Sequence, residues 1–156
     1  MSEQLILAGP EATDAFGRQL AKALKALPAA SVCIYLHGEL GAGKTSLARG
    51  LLRGYGHSGR VPSPTYTLVE PYNCGGRAIY HLDLYRLQHA TELEYLGIDE
   101  LALPGAVLLI EWPGQGGNHL VPPDLEVFLA ISGEHRACSM QARTPTGASV
   151  LAAMTA

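Results

Sequence analysis

The sequence predicts an α/β fold in three layers, in which helices cover a mostly parallel sheet that also has an antiparallel portion. Two apolar runs rich in β-forming residues, 31–37 and 106–112, are typical of strands buried on both faces of a parallel sheet. Apolar residues at helical spacing precede the first run. Nearer the C-terminus, two strand-like stretches flank Gly133-Glu134, which predicts an antiparallel pair.

The first half of the chain alternates helix, strand and helix. Gly9-Pro10-Glu11 has proline at the first helical position and an acid in the first turn, so a helix is predicted from here to Pro28. The strand at 31–37 follows and leads into a glycine-rich turn. A second helix is predicted over 45–55 and is closed by Gly56.

The second half is predicted to contain mainly strands. Strands at 65–72 and 77–82 are separated by Asn73-Cys-Gly-Gly76, which is a hairpin signal. Thr91 to Glu94 match a capping box that would open a short helix. The remaining predicted elements are a strand at 106–112, two strands at 125–131 and 135–143, and a final helix at 150–154. Without a repeat or linker, residues 1–156 are expected to form a single domain.

Charge and cysteine content limit the function classes. The net charge is −3 and the chain has no run of Lys or Arg, so on its own it is a poor candidate for binding a nucleic-acid backbone. The three cysteines are widely separated and lack metal-ligand spacing. We find neither a cationic signal peptide nor an apolar run of ~18 residues. A cytoplasmic protein with reduced core cysteines and no membrane contact is therefore expected.

The strongest chemical signal is a P-loop motif between a predicted strand and a predicted helix. Its glycines let backbone N–H groups wrap around an anion, and the following helix adds its positive N-terminal end. In such motifs the lysine, here Lys44, reaches the β- and γ-phosphates, and the Thr45 hydroxyl is a Mg²⁺ ligand. The motif predicts a P-loop NTPase-like sheet that binds ATP and Mg²⁺. The predicted nucleotide contacts are Gly38, Glu39, Leu40, Gly41, Ala42, Gly43, Lys44, Thr45 and Ser46.

A second acid is expected at the end of a neighbouring strand, where P-loop proteins organise Mg²⁺ and its waters. Glu111 closes the apolar stretch 106–110 and is the candidate. Its side chain is longer than that of the commoner Asp, which favours contact with the metal through a water molecule. The alternative is a solvated carboxylate at a strand end. Trp112, which follows, either packs in the turn or contacts the nucleotide.

Hydroxyl and charged residues also lie between the two phosphate motifs. Prolines at alternate positions stiffen the segment 62–67, and its hydroxyls are placed to sense a γ-phosphate as switch loops do, although such residues also form ordinary turns. Asp83 is a candidate to orient the attacking water or to hold the metal shell. Arg86 either neutralises charge on the phosphate or pairs with Asp83. His81, on a strand, is expected to be a structural histidine with its hydrogen bonds satisfied.

Five motifs in this order closely resemble those of the TsaE (YjeE) family of bacterial ATPases. They are the P-loop at 38–45, Ser-Pro-Thr-Tyr-Thr-Leu at 63–68 with Val-Glu-Pro-Tyr at 69–72, His-Leu-Asp-Leu-Tyr-Arg-Leu at 81–87, Glu-Leu-Glu-Tyr-Leu-Gly at 92–97, and Ile-Glu-Trp-Pro at 110–113. The resemblance runs from about the first helix to the C-terminal hairpin.

The resemblance implies a role in making threonylcarbamoyladenosine at position 37 of ANN-decoding tRNAs. A separate enzyme makes threonylcarbamoyl-AMP from threonine, bicarbonate and ATP, and the TsaD–TsaB pair transfers the threonylcarbamoyl group to adenosine. A TsaE-like protein would dock on that pair and hydrolyse ATP to support or reset its turnover. Its contact with tRNA would be indirect.

The resemblance also implies roles for individual residues. Lys44 and Thr45 would contact the phosphates and Mg²⁺, and Glu111 would be the second acid of the metal shell. Asp83 falls in the family's His-x-Asp-x-Tyr-Arg motif, which is tied to catalysis. Thr13 lies where the family places a threonine near the base of the nucleotide. The predicted catalytic residues are therefore Lys44, Asp83 and Glu111, and the predicted metal contacts are Thr45 and Glu111.

The sequence departs from the family pattern at two places, and two other functions remain as alternatives. His37 precedes the first glycine, and the stretch 133–136 does not match the family's arginine-containing turn, so nucleotide contacts from that hairpin are not assigned. A small-molecule kinase would need an arginine-bearing lid, and no such segment follows Glu111. Asp83 and Glu111 argue against a non-catalytic assembly factor that binds ATP but barely cleaves it. Low turnover in isolation is expected where a partner orders the switch loop.

Overall fold

The computed structural model describes residues 4–155 and, within them, one seven-stranded sheet with helices on both faces. The strands are β1 (Gln4–Leu7), β2 (Val32–His37), β3 (Val69–Cys74), β4 (Arg77–Asp83), β5 (Val107–Glu111), β6 (Leu125–Ser132) and β7 (His135–Ala142). The helices are α1 (Pro10–Lys25), α2 (Lys44–Gly54), α3 (Glu92–Leu96), α4 (Ile98–Leu101) and α5 (Pro145–Thr155). In this part of the chain no helix has the length and apolar character needed to cross a membrane.

The strand order is β1-β7-β6-β2-β5-β4-β3. The four central strands, from β6 to β4, pair in parallel, whereas β3 and the β7–β1 edge are added antiparallel. The predicted fold class, a mostly parallel sheet with an antiparallel portion between layers of helices, is confirmed. The predicted C-terminal antiparallel pair is β6–β7, which turns at Gly133.

Two apolar layers hold the helices to the sheet. On one face, α1, α2 and α5 bury side chains such as Leu20, Leu51 and Val150 against the odd-numbered residues of β4 and β5. On the other face, the segment around α3 and α4 buries Leu93 and Ile98 against the even-numbered residues. The three cysteines are free and buried, as expected.

Helices α1 and α2 touch backbone to backbone because glycines lie at their crossing. A Cβ at Gly17 would come within 2.3 Å of the Leu47 carbonyl oxygen, and one at Gly50 within 2.3 Å of the Asp14 carbonyl oxygen. Near the start of α2, the Cβ position of Gly43 lies 3.4 Å from the Thr13 methyl carbon. This close approach brings the first turn of α1 beside the P-loop.

The parallel register aligns the strand ends that carry the predicted site. Leu36 of β2 is paired with Glu111 of β5, and Glu111 is paired with Asp83 of β4. The P-loop leaves the same end of β2. The carboxyl ends of three adjacent strands therefore meet at one edge of the sheet, as expected for ligand sites of parallel α/β folds.

The segment before β3 corrects one sequence prediction. A strand was expected over 65–72, but β3 begins only at Val69, and residues 64–67 form turns closed by a 2.8 Å bond from the Leu68 N–H to the Pro64 carbonyl. Leu68 has φ 69°, which extended backbone does not allow. The hydroxyls of this segment bond a carboxylate at the sheet edge, and this contact replaces strand pairing.

The predicted capping box and the ends of some elements are also corrected. Helix α3 is present, but Thr91 makes no side-chain cap bond within the described residues. Instead, the Glu92 carboxylate accepts the N–H groups of Gln88 and His89 at 3.1 and 2.9 Å. The final helix begins at Pro145 rather than at residue 150. Strand β1 was not predicted, because four residues are too short to show a period.

Gly50→Ala tests the helix crossing. An added methyl group would meet the Asp14 carbonyl, so we expect the free energy of unfolding to fall by about 2 kcal/mol, although alanine favours helix by about 1 kcal/mol. Urea unfolding measures the change. Gly114→Ala is the matched control, since its Cβ would meet nothing within 4 Å. A Gly50→Ala protein as stable as the wild type would contradict the described crossing.

Candidate functional site

The candidate site is an open cleft of about 510 Å³ at the carboxyl ends of β2, β4 and β5. Its walls include the three predicted catalytic residues, Lys44, Asp83 and Glu111. Thr45 and Ser46, at the start of α2, form part of the same wall. The site residues predicted on three separate stretches of sequence are thus brought together.

The P-loop backbone has the conformation that an anion cradle requires. Gly41 and Gly43 have φ 82° and 106°, in the left-handed region that glycine tolerates. Gly43 is the N-cap of α2, and within residues 4–155 no side chain caps that helix start. The first N–H groups of α2 therefore remain available to a phosphate. Glu39 and Leu40 are exposed, Ala42 is buried, and Leu40 lines the cleft. Contacts of these residues with a nucleotide stay predictions.

Lys44 is covered by its own loop. The side chain is only 5% exposed, its Nζ donates to the Gly38 carbonyl, and it lies 3.5 Å from the centroid of the Trp112 ring. Burial lowers the pKa of Lys44 below its ordinary value, while the carboxylates of Glu111 and Asp83 act in the opposite direction. The carbonyl and the indole ring both stabilise this cation.

Trp112 has an unusual backbone that places its ring in the cleft. Its φ is 57°, which is rare for a residue with a side chain. The ring lies between Lys44 and Tyr85, with 4.9 Å between the Trp112 and Tyr85 ring centroids. Trp112 is partly buried against the apolar cluster that includes Ile110, which agrees with the packing interpretation. Its ring also lines the cleft, and contact with the nucleotide stays a prediction. The sequence gives no sign of the contact with Lys44, because it depends on this φ value.

Glu111 is buried and joins α2 to β4. The Thr45 hydroxyl donates to Glu111 Oε2 at 3.1 Å, and His81 Nε2 lies 2.5 Å from the same oxygen. The alternative of a solvated strand-end carboxylate is wrong, because Glu111 is 2% exposed. His81 is buried, as expected for a structural histidine, but the expectation that its hydrogen bonds are satisfied is wrong: Nε2 meets the candidate metal-shell acid, and Nδ1 has no partner among residues 4–155.

Asp83 organises the predicted switch-like loop. Its Oδ2 accepts the Thr65 hydroxyl at 3.1 Å and the Ser63 hydroxyl at 3.4 Å, and its Oδ1 accepts the Tyr85 N–H at 3.0 Å. The two hydroxyls also bond each other at 2.7 Å. The loop is thereby tied to the strand end that lines the cleft.

Arg86 does not form the predicted pair with Asp83 in the described part of the chain. Its guanidinium carbon lies 4.6 Å from the centroid of the Tyr66 ring, and Tyr66 is 81% exposed. Arg86 also lines the cleft. Of the two predicted alternatives, a role toward phosphate charge is the one compatible with this position.

A smaller cavity of about 240 Å³ adjoins the P-loop on the side of α1. Buried Thr13 lines it, as do Gly43 and Ser46. Arg136, at the start of β7, also lines it and donates to the Gly41 carbonyl at 3.2 Å. Sequence reasoning left the turn at 133–136 unassigned, because only the pairing of β6 with β7 brings Arg136 to the P-loop.

Comparison with known proteins identifies the family. Residues 7–141 match the family model described as "Threonylcarbamoyl adenosine biosynthesis protein TsaE". A Haemophilus influenzae protein named "tRNA threonylcarbamoyladenosine biosynthesis protein TsaE" is 43% identical over 139 residues, which cover 88% of each chain. A Bacillus subtilis protein of the same name is 35% identical over 125 residues, which cover 80% of this chain and 75% of the relative.

A solved structure agrees over nearly the whole length. The crystal structure of Bacillus subtilis YdiB superposes with a TM-score of 0.82 at 25% sequence identity, covering 99% of this chain and 95% of that one. The family-model match spans most of the chain and contains the P-loop, Asp83 and Glu111. This protein therefore belongs to the TsaE family of P-loop proteins.

Proposed function

We propose that this protein, acting as one ATPase domain over residues 1–156, hydrolyses ATP for the machinery that installs threonylcarbamoyladenosine at position 37 of ANN-decoding tRNAs. Family membership supports the pathway, since relatives are named for tRNA threonylcarbamoyladenosine biosynthesis. One observation supports hydrolysis: a single cleft contains Lys44, Asp83 and the hydrogen-bonded pair Thr45–Glu111. The chain alone has a net charge of −3, so tRNA would be held by other subunits.

Nucleotide binding follows from the P-loop. The left-handed glycines and the uncapped start of α2 offer backbone N–H groups to the phosphates of ATP. Lys44 would exchange the Gly38 carbonyl and the Trp112 ring for the β- and γ-phosphate oxygens. This exchange gives a buried cation a charged partner, which stabilises the complex.

The oxygen donors beside the P-loop fit Mg²⁺. This ion prefers oxygen ligands and is usually held by one or two side chains together with phosphate oxygens and water. The Thr45 hydroxyl and the Glu111 carboxylate lie 3.1 Å apart. We assign direct contact to Thr45 and the orientation of metal-bound water to Glu111. When bound, the ion neutralises charge on the β- and γ-phosphates.

Asp83 is the candidate that orients the attacking water. It is only 4% exposed, its carboxylate lines the cleft, and it already accepts the hydroxyls of Ser63 and Thr65. A γ-phosphate entering the cleft competes for these hydroxyls, which would free Asp83 to accept a hydrogen bond from water. The loop at 63–67 would thus change with the nucleotide, as switch loops do.

Docking on the TsaD–TsaB pair is the second part of the proposal. Exposed apolar side chains flank the cleft, among them Leu40 and Tyr66. Lys44 donates to the Gly38 carbonyl and Asp83 accepts the Thr65 hydroxyl, so both would have to exchange these contacts to act on ATP. This need supports low turnover in isolation and faster turnover when a partner orders the loop. Work on tRNA would place the protein in the cytoplasm.

Lys44→Ala is expected to lower ATP turnover about 100-fold or more, because the transferred phosphoryl group loses its cationic partner. A strain that carries only this variant should lack threonylcarbamoyladenosine in its tRNA, as measured by mass spectrometry of nucleosides. Lys22→Ala, which removes an exposed lysine of α1, is the matched control and should leave both readouts unchanged. Normal tRNA modification in the strain that carries only Lys44→Ala would refute the proposal.

Asp83→Asn is expected to separate binding from hydrolysis. The amide keeps the size of the side chain but loses the charge that orients water, so phosphate release should fall about 100-fold while ATP affinity changes less than about threefold. Calorimetry and a phosphate-release assay measure the two effects. Asp99→Asn, at an exposed position of α4, is the control. Unchanged phosphate release in Asp83→Asn would remove Asp83 from the catalytic set.

A further inference from the structure

A buried histidine, His81, contacts the candidate metal-shell acid, Glu111. His81 has no exposed surface, and its Nε2 lies 2.5 Å from Oε2 of Glu111, which is itself 2% exposed. Alternation along β4 puts His81 on the same face as Asp83, and the β4–β5 register puts Asp83 directly beside Glu111. His81 therefore approaches Glu111 from the sheet, one layer below the cleft.

The surroundings of the His81 ring indicate which of its two nitrogens carries the hydrogen. Nδ1 of His81 is buried and has no hydrogen-bond partner among the atoms of residues 4–155. A hydrogen on Nδ1 would be a buried donor without an acceptor, which is costly, whereas a bare Nδ1 lone pair is tolerated more readily. The neutral ring with its hydrogen on Nε2 satisfies the arrangement, and this N–H donates to Glu111.

Glu111 needs such a partner because of its length. A glutamate has one more side-chain torsion than an aspartate, so a free Glu111 would sample several carboxylate orientations. The Thr45 hydroxyl, which meets the carboxylate at 3.1 and 3.4 Å, belongs to the proposed ion contact and cannot by itself hold the carboxylate plane. The His81 bond supplies a second fixed point on the sheet side.

We infer that His81 is a positioning residue, which holds the Glu111 carboxylate by an Nε2–H hydrogen bond in the orientation required by the Mg²⁺–nucleotide complex. The inference rests on the proposed use of Mg²⁺ at this site. Hydrogen-bond partners of metal-shell ligands typically change metal affinity or activity about 10–100-fold when they are removed.

The test compares two substitutions. His81→Phe keeps the ring shape and removes the donor, whereas His81→Gln carries an amide N–H that reaches the position of Nε2. Calorimetry with a non-hydrolysable ATP analogue is carried out with EDTA and with Mg²⁺. We expect His81→Phe to bind the analogue within about twofold of the wild type in EDTA and to lose about tenfold or more of the gain from Mg²⁺. His81→Gln should recover most of that gain.

A double-substitution cycle separates positioning from packing. If His81 acts through Glu111, adding His81→Phe to Glu111→Ala, which removes the acceptor of the His81 bond, should cause no further loss of the Mg²⁺-dependent gain. His57→Phe, just beyond the opposite end of α2 from Lys44, is the matched control and should leave the gain unchanged. An equal gain from Mg²⁺ in His81→Phe and the wild type would overturn the inference. A full additional loss in the Glu111→Ala background would overturn it as well.

Two features keep the test independent of folding and of hydrolysis. Should His81→Phe fail to fold, nitrogen-detected NMR of the wild-type imidazole decides: a hydrogen on Nε2 supports the inference, and a hydrogen on Nδ1 alone overturns it. The binding readout needs no turnover. A wild-type protein that gains affinity from Mg²⁺ without releasing phosphate would refute the proposed ATPase activity and leave the role of His81 to be judged by binding.

Discussion

The parallel pairing of β2, β5 and β4 is the constraint on which the site depends. Thr45 and Glu111 are 66 residues apart in sequence, yet they bond because the P-loop leads from β2 into α2 and β5 lies next to β2. The same register places Asp83 beside Glu111. A shift of one residue in either pairing would turn these side chains to the opposite face of the sheet. Fold and site are thus specified by one set of backbone hydrogen bonds.

The charged side chains that line the cleft contact groups of the protein itself. Lys44 contacts the Gly38 carbonyl and the Trp112 ring, and Asp83 holds two hydroxyls of the switch-like loop. Each contact protects a buried charged group that would otherwise lack a partner. In the proposed function ATP would displace them, so binding and rearrangement of the loop would be coupled. This coupling gives a physical reason why a partner that orders the loop would raise turnover.

Much of the fold and of the candidate site could be predicted from local sequence patterns. Contacts between segments that are distant in sequence could not be predicted. The P-loop is read from eight consecutive residues, and Glu111 and Asp83 stand out as acids at strand ends. The contact of Arg136 with the P-loop depends on β7 pairing, and the bond of His81 depends on the β4–β5 register. Trp112 reaches Lys44 only because of its left-handed backbone, which no propensity indicates.

The P-loop by itself indicates a nucleotide, and family membership indicates the pathway. The proposed hydrolysis of ATP would link the two. The most direct measurement is release of inorganic phosphate from ATP by the purified protein, alone and with the TsaD–TsaB pair, with and without Mg²⁺. The account predicts ADP and phosphate as the products, slow release alone, release about tenfold or more faster with the pair, and none without Mg²⁺. Absence of release with the pair present, or transfer of the phosphoryl group to another acceptor, would contradict it.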